Sequence, residues 1–166
     1  MDEQSKPLEP LLDIEKVQSI LSSISIFAGL SDKQLYRLFR LLQQVTYQDG
    51  ETIFAQGTEP SYIYIVEEGK VKLVVSDDHT PLELYELGPG ECFGDTAVIG
   101  IQPHAASTIA EGATRLIVLS RQALLDLYKT DLELFSTLIL NIAREACRRL
   151  YKTDQILLHY VLDNKK

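Results

Sequence analysis

The fold class predicted by the sequence is mainly β: an antiparallel double-stranded β-helix or jelly roll, with flanking N-terminal helices and a long C-terminal helix. Three observations predict it. Between residues 45 and 119, short apolar-rich runs recur with glycine-bearing turns between them. No helical period separates those runs, which excludes βαβ units and favours a roll. Beyond residue 131 there is no glycine or proline, and apolar residues recur every three or four positions.

Each element has its own signal. Residues 1–10 are polar, acidic and proline-containing and are expected to be loose. Leu12, Val17, Ile20, Leu21 and Ile24 predict a helix over 11–24, followed by a turn at 27–30. Ser31 is an N-cap whose partner three residues on, Gln34, completes a capping box. Leu35, Leu38, Phe39 and Leu42 are the stripe of that second helix. Strands are expected at 45–47, 52–55, 61–66, 70–75, 82–87, 108–110 and 114–119. Turns are expected at 48–50, 67–69 and 88–90, and a hairpin tip at 76–80. The Glu67-Glu68 pair reads as a solvated turn.

Ser120 caps a third helix with the stripe Leu124, Leu125, Leu127 and Tyr128. From Asp131 to about Leu162 runs one long helix. Its near-heptad seam is Leu132, Phe135, Ile139, Ile142, Ala146, Leu150, Thr153, Leu157 and Tyr160. A helix of ~30 residues is about 45 Å long, more than a roll of this size covers. At least part of it is therefore expected to pair with a second copy, the alternative being one face packed on the roll. The organisation that follows is a helical extension at 1–26, the roll at 27–130, and a dimerisation or partner-contact helix at 131–166.

Composition narrows the function. The chain of 166 residues suffices for one cored domain, and 45% hydrophobic with 24% charged residues is ordinary for a globular protein. Sixteen basic against 24 acidic residues give a net charge of −8, which argues against nucleic acid as a partner. Cys92 and Cys147 stand far apart, so neither a metal-binding pair nor a disulfide framework is expected, and packing is expected for both. No signal peptide is expected from the polar start, and no apolar stretch approaches ~20 residues. A cytoplasmic location without membrane contact is expected. His79, His104 and His159 are scattered, and no serine–histidine–acid set is defensible by spacing. No catalytic residue, metal or cofactor is therefore expected, and the chain is read as a non-enzyme.

The informative segment lies between Leu87 and Ile109. Gly88-Pro89-Gly90-Glu91-Cys92-Phe93-Gly94-Asp95-Thr96-Ala97-Val98 is followed by Pro103-His104-Ala105-Ala106-Ser107-Thr108. Gly94 lets the backbone bend sharply or approach a ligand. Residues 95–98 can form a helical turn with outward amides suited to an anion. Ala105 and Ala106 keep the second limb low, and Ser107 offers a hydroxyl.

This segment resembles the phosphate-binding cassette of the cyclic nucleotide-binding domains of bacterial catabolite-activator-type regulators and kinase regulatory subunits. Upstream, Gly50-Glu51-x-Ile53-Phe54-x-x-Gly57 resembles the first glycine turn of that family. Ile63-Tyr64-Ile65-Val66-x-x-Gly69-x-Val71 resembles its central hairpin, and the likeness extends over residues 27–162. It implies a regulatory or sensor domain whose ligand, cyclic AMP or cyclic GMP, is held by Phe93, Gly94, Asp95, Thr96, Ala97, His104, Ala105, Ala106, Ser107 and Thr108. It also implies that helix residues near 142–149 could cover the base.

Two positions depart from the family pattern. Asp95 stands for its ribose-binding glutamate, one methylene shorter. His104 stands for its phosphate-binding arginine, so the permanently charged bidentate fork is lost. One lost charge-assisted bond costs about 1.5–3 kcal/mol, roughly one to two decades of affinity. Three readings stay open: a modified nucleotide site, a pocket retuned for another small anionic metabolite, and a fold kept for protein contacts. Arg144, Arg148, Arg149 and Lys152 read as a solvated basic face or as a contact for an acidic patch. Transcription regulators of the family carry a helix-turn-helix domain after the long helix. Here only Asp163-Asn164-Lys165-Lys166 follow, so direct DNA reading is not expected.

Overall fold

The computed structural model describes residues 6–11, 20, 23–76 and 81–163. In chain order the elements are β1 (Glu9–Pro10), a 3₁₀ turn (Ser25–Phe27), α1 (Asp32–Phe39), β2 (Leu42–Tyr47), β3 (Thr52–Phe54), β4 (Tyr62–Ser76), β5 (Pro81–Leu87), β6 (Cys92–Phe93), α2 (Asp95–Gly100), β7 (Ser107–Ser120), α3 (Arg121–Thr130) and α4 (Leu132–Asp163). The expected helix over 11–24 and the tip at 77–80, with His79, lie largely or wholly outside the described residues.

Every strand pair is antiparallel. β4 and β7 form the spine, in register from Tyr62↔Ser120 to Val74↔Ser107. β2 and β3 flank the two halves of β7, and β5 and β6 flank the two halves of β4. Burial shows why the central strands lack polar alternation. Ile63, Tyr64, Ile65 and Val66 are all fully buried, as are residues 116–119 opposite them, because both faces of the sheet are covered. Ile63, Ile65, Ile117 and Leu119 pack under Leu38, Leu134, Leu138 and Ile142 of the helices. Tyr64, Val66, Leu116 and Val118 point into the roll against Val45, Tyr47, Phe54 and Phe93.

Local signals hold well. Ser31 and Gln34 form the reciprocal capping box of α1, and the Ser120 hydroxyl accepts the Ala123 N–H of α3 at 3.0 Å.

Several expectations are corrected. Glu67–Gly69 is not a turn: β4 runs through it, with register shifts between Val66 and Lys70. A Cβ on Gly69, at φ +88°, would stand 2.6 Å from the Ala113 carbonyl oxygen, so the bulge requires glycine. Nor is Glu67 solvated. Its side chain is 7% exposed and accepts from Arg115 Nε at 2.7 Å. Residues 108–110 and 114–119 belong to one strand, β7. Leu42 is not helical but opens β2. Of the α3 stripe only Leu124 and Leu127 are buried, and Leu125 and Tyr128 face solvent. Residues 9–10 are not loose: they add β1 to the edge of β2, where a proline costs no ladder bond. Lys6 anchors that segment to Glu51 and the Thr46 carbonyl.

The seam of α4 is corrected in its first half. Asp131 is the one-residue joint between α3 and α4 (φ −154°, ψ 77°), and its Oδ1 accepts the Leu134 N–H at 3.1 Å. That joint sets the helix phase. Leu134, Leu138, Asn141 and Ile142 are buried, Phe135 and Ile139 are half-buried, and Leu132 is exposed. Cys147 is exposed rather than packed. No described helix is long and apolar enough to cross a membrane.

Candidate functional site

The cassette starts where β6 ends. Phe93 is buried in the roll and stacks on Tyr64 at 5.1 Å between ring centroids. Gly94 then turns the chain with φ +76°, and a Cβ there would lie 2.8 Å from the Tyr62 carbonyl oxygen. This close approach brings β6 against β4 and starts α2, with the Val98 N–H donating to the Gly94 carbonyl at 3.0 Å. Within α2, Asp95 and Ala97 are buried and Thr96 is exposed.

Asp95 is 0% exposed, and one of its oxygens accepts a hydrogen bond from Arg149 Nη2 of α4. Its other oxygen, Oδ1, has no hydrogen-bond partner among the described residues. Burial opposes the charge of Arg149, yet the Asp95 carboxylate outweighs it and holds the guanidinium above its usual value. Burial, reinforced by the Asp95 carboxylate, pushes the neighbouring Cys92 thiol up, so it stays protonated and unreactive. Reading the 144–152 run as a solvated face is thus corrected at Arg149. A buried carboxylate needs a cation, but nothing in the sequence shows that the cation comes from 54 positions downstream.

The second limb is pinned to the turn after β3. The His104 N–H donates to the Thr58 carbonyl at 2.9 Å, and the Gly57 N–H to the His104 carbonyl at 2.8 Å. Ser107 Oγ accepts the Gln56 N–H at 2.9 Å. The His104 side chain is 4% exposed and lies parallel to the Phe54 ring, 3.6 Å between centroids. A Cβ on Gly94 would be 3.7 Å from His104 Cε1, so the two limbs meet at these residues. Ala106 is buried and Ala105 exposed. Thr108 is fully buried, with an Oγ1 that lacks a partner among the described residues.

The structure therefore brings Gly94 and His104 together, buries Asp95 against Arg149, and leaves Thr96 and Ala105 exposed. Three orphaned buried atoms, Asp95 Oδ1, Thr108 Oγ1 and Arg149 Nε, remain here among the described residues, the kind of group a ligand satisfies. No cluster of metal-ligating side chains occurs among the described residues.

Comparison with known proteins agrees with this architecture. Residues 44–131, just over half of the chain, match the family model of the cyclic nucleotide-binding domain. The chain is 32% identical over 95 residues to the cAMP-dependent protein kinase type II regulatory subunit of Drosophila melanogaster, covering 57% of this chain and 25% of that protein. It thus spans a quarter of that relative's length. Among solved structures, the catabolite activator protein of Thermus thermophilus superposes with a TM-score of 0.71 at 30% identity, covering 80% of this chain and 61% of that one. A cyclic nucleotide-binding domain from Methylobacillus flagellatus gives a TM-score of 0.79 at 21% identity, covering 87% and 84%. The chain belongs to the cyclic nucleotide-binding domain family.

Proposed function

We propose that the chain is a non-catalytic regulatory domain in which a cyclic nucleotide, or a closely related small anion, binds at the cassette and is reported through α4. The observation that carries this reading is Asp95. It is the one fully buried carboxylate of the cassette, it holds α4 through Arg149, and its Oδ1 lacks a hydrogen-bond partner among the described residues, so a ligand hydroxyl that displaced the helix contact would satisfy it. A ligand that engages Asp95 changes the balance of the Asp95–Arg149 contact, and with it the docking of α4. That is a population shift driven by differential affinity for two helix arrangements. The alternative is a module kept for protein contacts alone.

Calorimetric titration with cyclic AMP and cyclic GMP tests the ligand. Binding is expected below about 1 mM. His104→Arg is expected to tighten it roughly ten- to a hundredfold by restoring a charge-assisted phosphate bond. No heat with either nucleotide favours the protein-contact alternative.

The reporting surface proposed is the second half of α4. From Leu150 onward seven large apolar side chains are exposed, among them Leu150, Tyr151, Ile156, Leu157 and Leu162. An apolar stretch of that extent marks an interaction site, here a second copy of the chain paired along the seam at Leu150, Thr153 and Leu157. Light scattering is expected to give a dimer, and Leu150→Glu with Leu157→Glu a folded monomer. A wild-type monomer at every concentration would remove this assignment. A cytoplasmic protein that reads no DNA is the setting this function fits.

A further inference from the structure

A cleft of about 700 Å³ opens between α1 and the joint of α3 with α4. One wall is the outer face of α1 and its C-cap residue, which presents Lys33, Tyr36, Arg37 and Arg40. The other wall carries Asp131 and Glu133. Leu38 and Phe39 hold α1 in the core, while the three cations are exposed and add nothing to that packing. Residues three and four apart are neighbours on a helix surface, so the cations form one stripe. Like charges at that spacing destabilise the helix that carries them.

The stripe stands out against the rest of the surface. On the sheet, Lys70 pairs with Glu86, Lys72 with Glu83 and Glu111, and Arg115 with Glu67 and Glu68. On α1, Arg37 pairs with Asp131 at 2.9 Å. Lys33 and Arg40 have no ion pair among the described residues, although the chain has 24 acidic residues against 16 basic. Between them Tyr36 is 62% exposed. Tyrosine and arginine are the side chains enriched where protein partners meet.

We propose that this cleft docks an acidic segment of a partner protein. Its carboxylates would meet Lys33 and Arg40, and an apolar side chain between them would pack on Tyr36. The net charge of −8 repels an acidic segment over the surface as a whole, so the α1 stripe decides where it lands. Glu133 on the facing wall favours a segment whose acidic residues lie on one side. A nucleic acid fits the cleft poorly, because its phosphates need cations and half of this cleft is acidic. Docking here bears on α4, since Arg37 also holds the joint and a bound carboxylate competes with Asp131 for it. The assignment does not depend on nucleotide binding at the cassette.

The test is fluorescence anisotropy on the full chain with a labelled octapeptide of alternating glutamate and leucine, and with labelled decathymidylate. The peptide is expected to bind below about 1 mM, and more weakly as salt rises, because the contacts are exposed. Lys33→Glu with Arg40→Glu is expected to weaken the peptide about tenfold or more. Lys33→Gln with Arg40→Gln, which removes the charges without reversing them, should lose less. Both pairs are exposed, so circular dichroism should show folded variants. Lys129→Glu with Lys152→Glu makes the same change of net charge outside the cleft and should alter peptide binding less than about twofold. An equal loss in that control overturns the inference, because attraction would then be diffuse. Tighter binding of decathymidylate than of the peptide overturns it in favour of a nucleic-acid partner. A wild-type protein that does not bind the peptide at all overturns it outright.

Discussion

Replacing Arg149 by leucine is expected to destabilise the fold by about 2–4 kcal/mol, measured as a lowered urea midpoint with an unchanged slope. The Asp95 carboxylate is fully buried and would be left without its ion-pair partner. Breaking a buried ion pair on one side costs about 3–5 kcal/mol. The Arg149 side chain is 22% exposed, so solvent screens part of the interaction and the lower range applies. A double variant, Asp95→Leu with Arg149→Leu, should recover part of the loss, because it removes the stranded charge along with its partner. A change below about 0.5 kcal/mol in Arg149→Leu would show that the pair does not hold α4.

That contact illustrates where sequence reasoning stops. The caps of α1 and α3 were legible because a cap is local: Ser31 with Gln34, and Ser120 with Ala123, lie within one turn of each other. The cassette frame was legible for a similar reason, since glycine at φ > 0 leaves a residue-specific mark at Gly94. Glu67–Gly69 was misread because a tight turn and a β-bulge share that mark. Only the cross-strand register with β7 tells them apart, and register depends on residues some 45 positions away. The seam of α4 slipped because the Asp131 joint sets the phase of the helix, and a seam drawn from spacing alone cannot see it. The substitution at His104 was visible in the sequence. Its packing on Phe54 was not, since stacking is decided by where β3 and the second limb meet.

Gly94→Ala is the second change of large expected effect. A left-handed conformation costs a non-glycine residue about 1–2 kcal/mol. The added Cβ would also stand 2.8 Å from the Tyr62 carbonyl oxygen, which is backbone of β4 and cannot swing away. Such overpacking adds about 1–3 kcal/mol. A total of about 2–5 kcal/mol is expected in urea unfolding. The chain can relieve the contact only by lifting β6 from β4, where Tyr64↔Phe93 and Ile65↔Cys92 are paired. Lifting it would move Asp95 away from Arg149. The variant should therefore lose ligand response as well as stability, unlike Gly29→Ala, where an added Cβ meets nothing within 4 Å and only the strain of φ +77° remains. Equal effects from the two substitutions would show that the β4 contact contributes nothing.

The joint at Asp131 gives α4 the properties of a lever. Arg37 holds the pivot through Asp131 Oδ2 at 2.9 Å and the Thr130 carbonyl. Asn141 ties the near arm to the Ile26 and Ala28 carbonyls at 3.1 and 2.8 Å, and among the described residues Arg149 makes the last hydrogen-bonded tie to the roll. From Asp131 to Leu162 the arm is about 46 Å long. A tilt of about 10° that leaves the pivot in place carries its tip through about 8 Å. The same tilt carries Arg149, about 27 Å along the arm, through about 5 Å, so release of its contact with Asp95 arrives at the exposed leucines as a shift wider than a side chain, which is gain obtained from length alone.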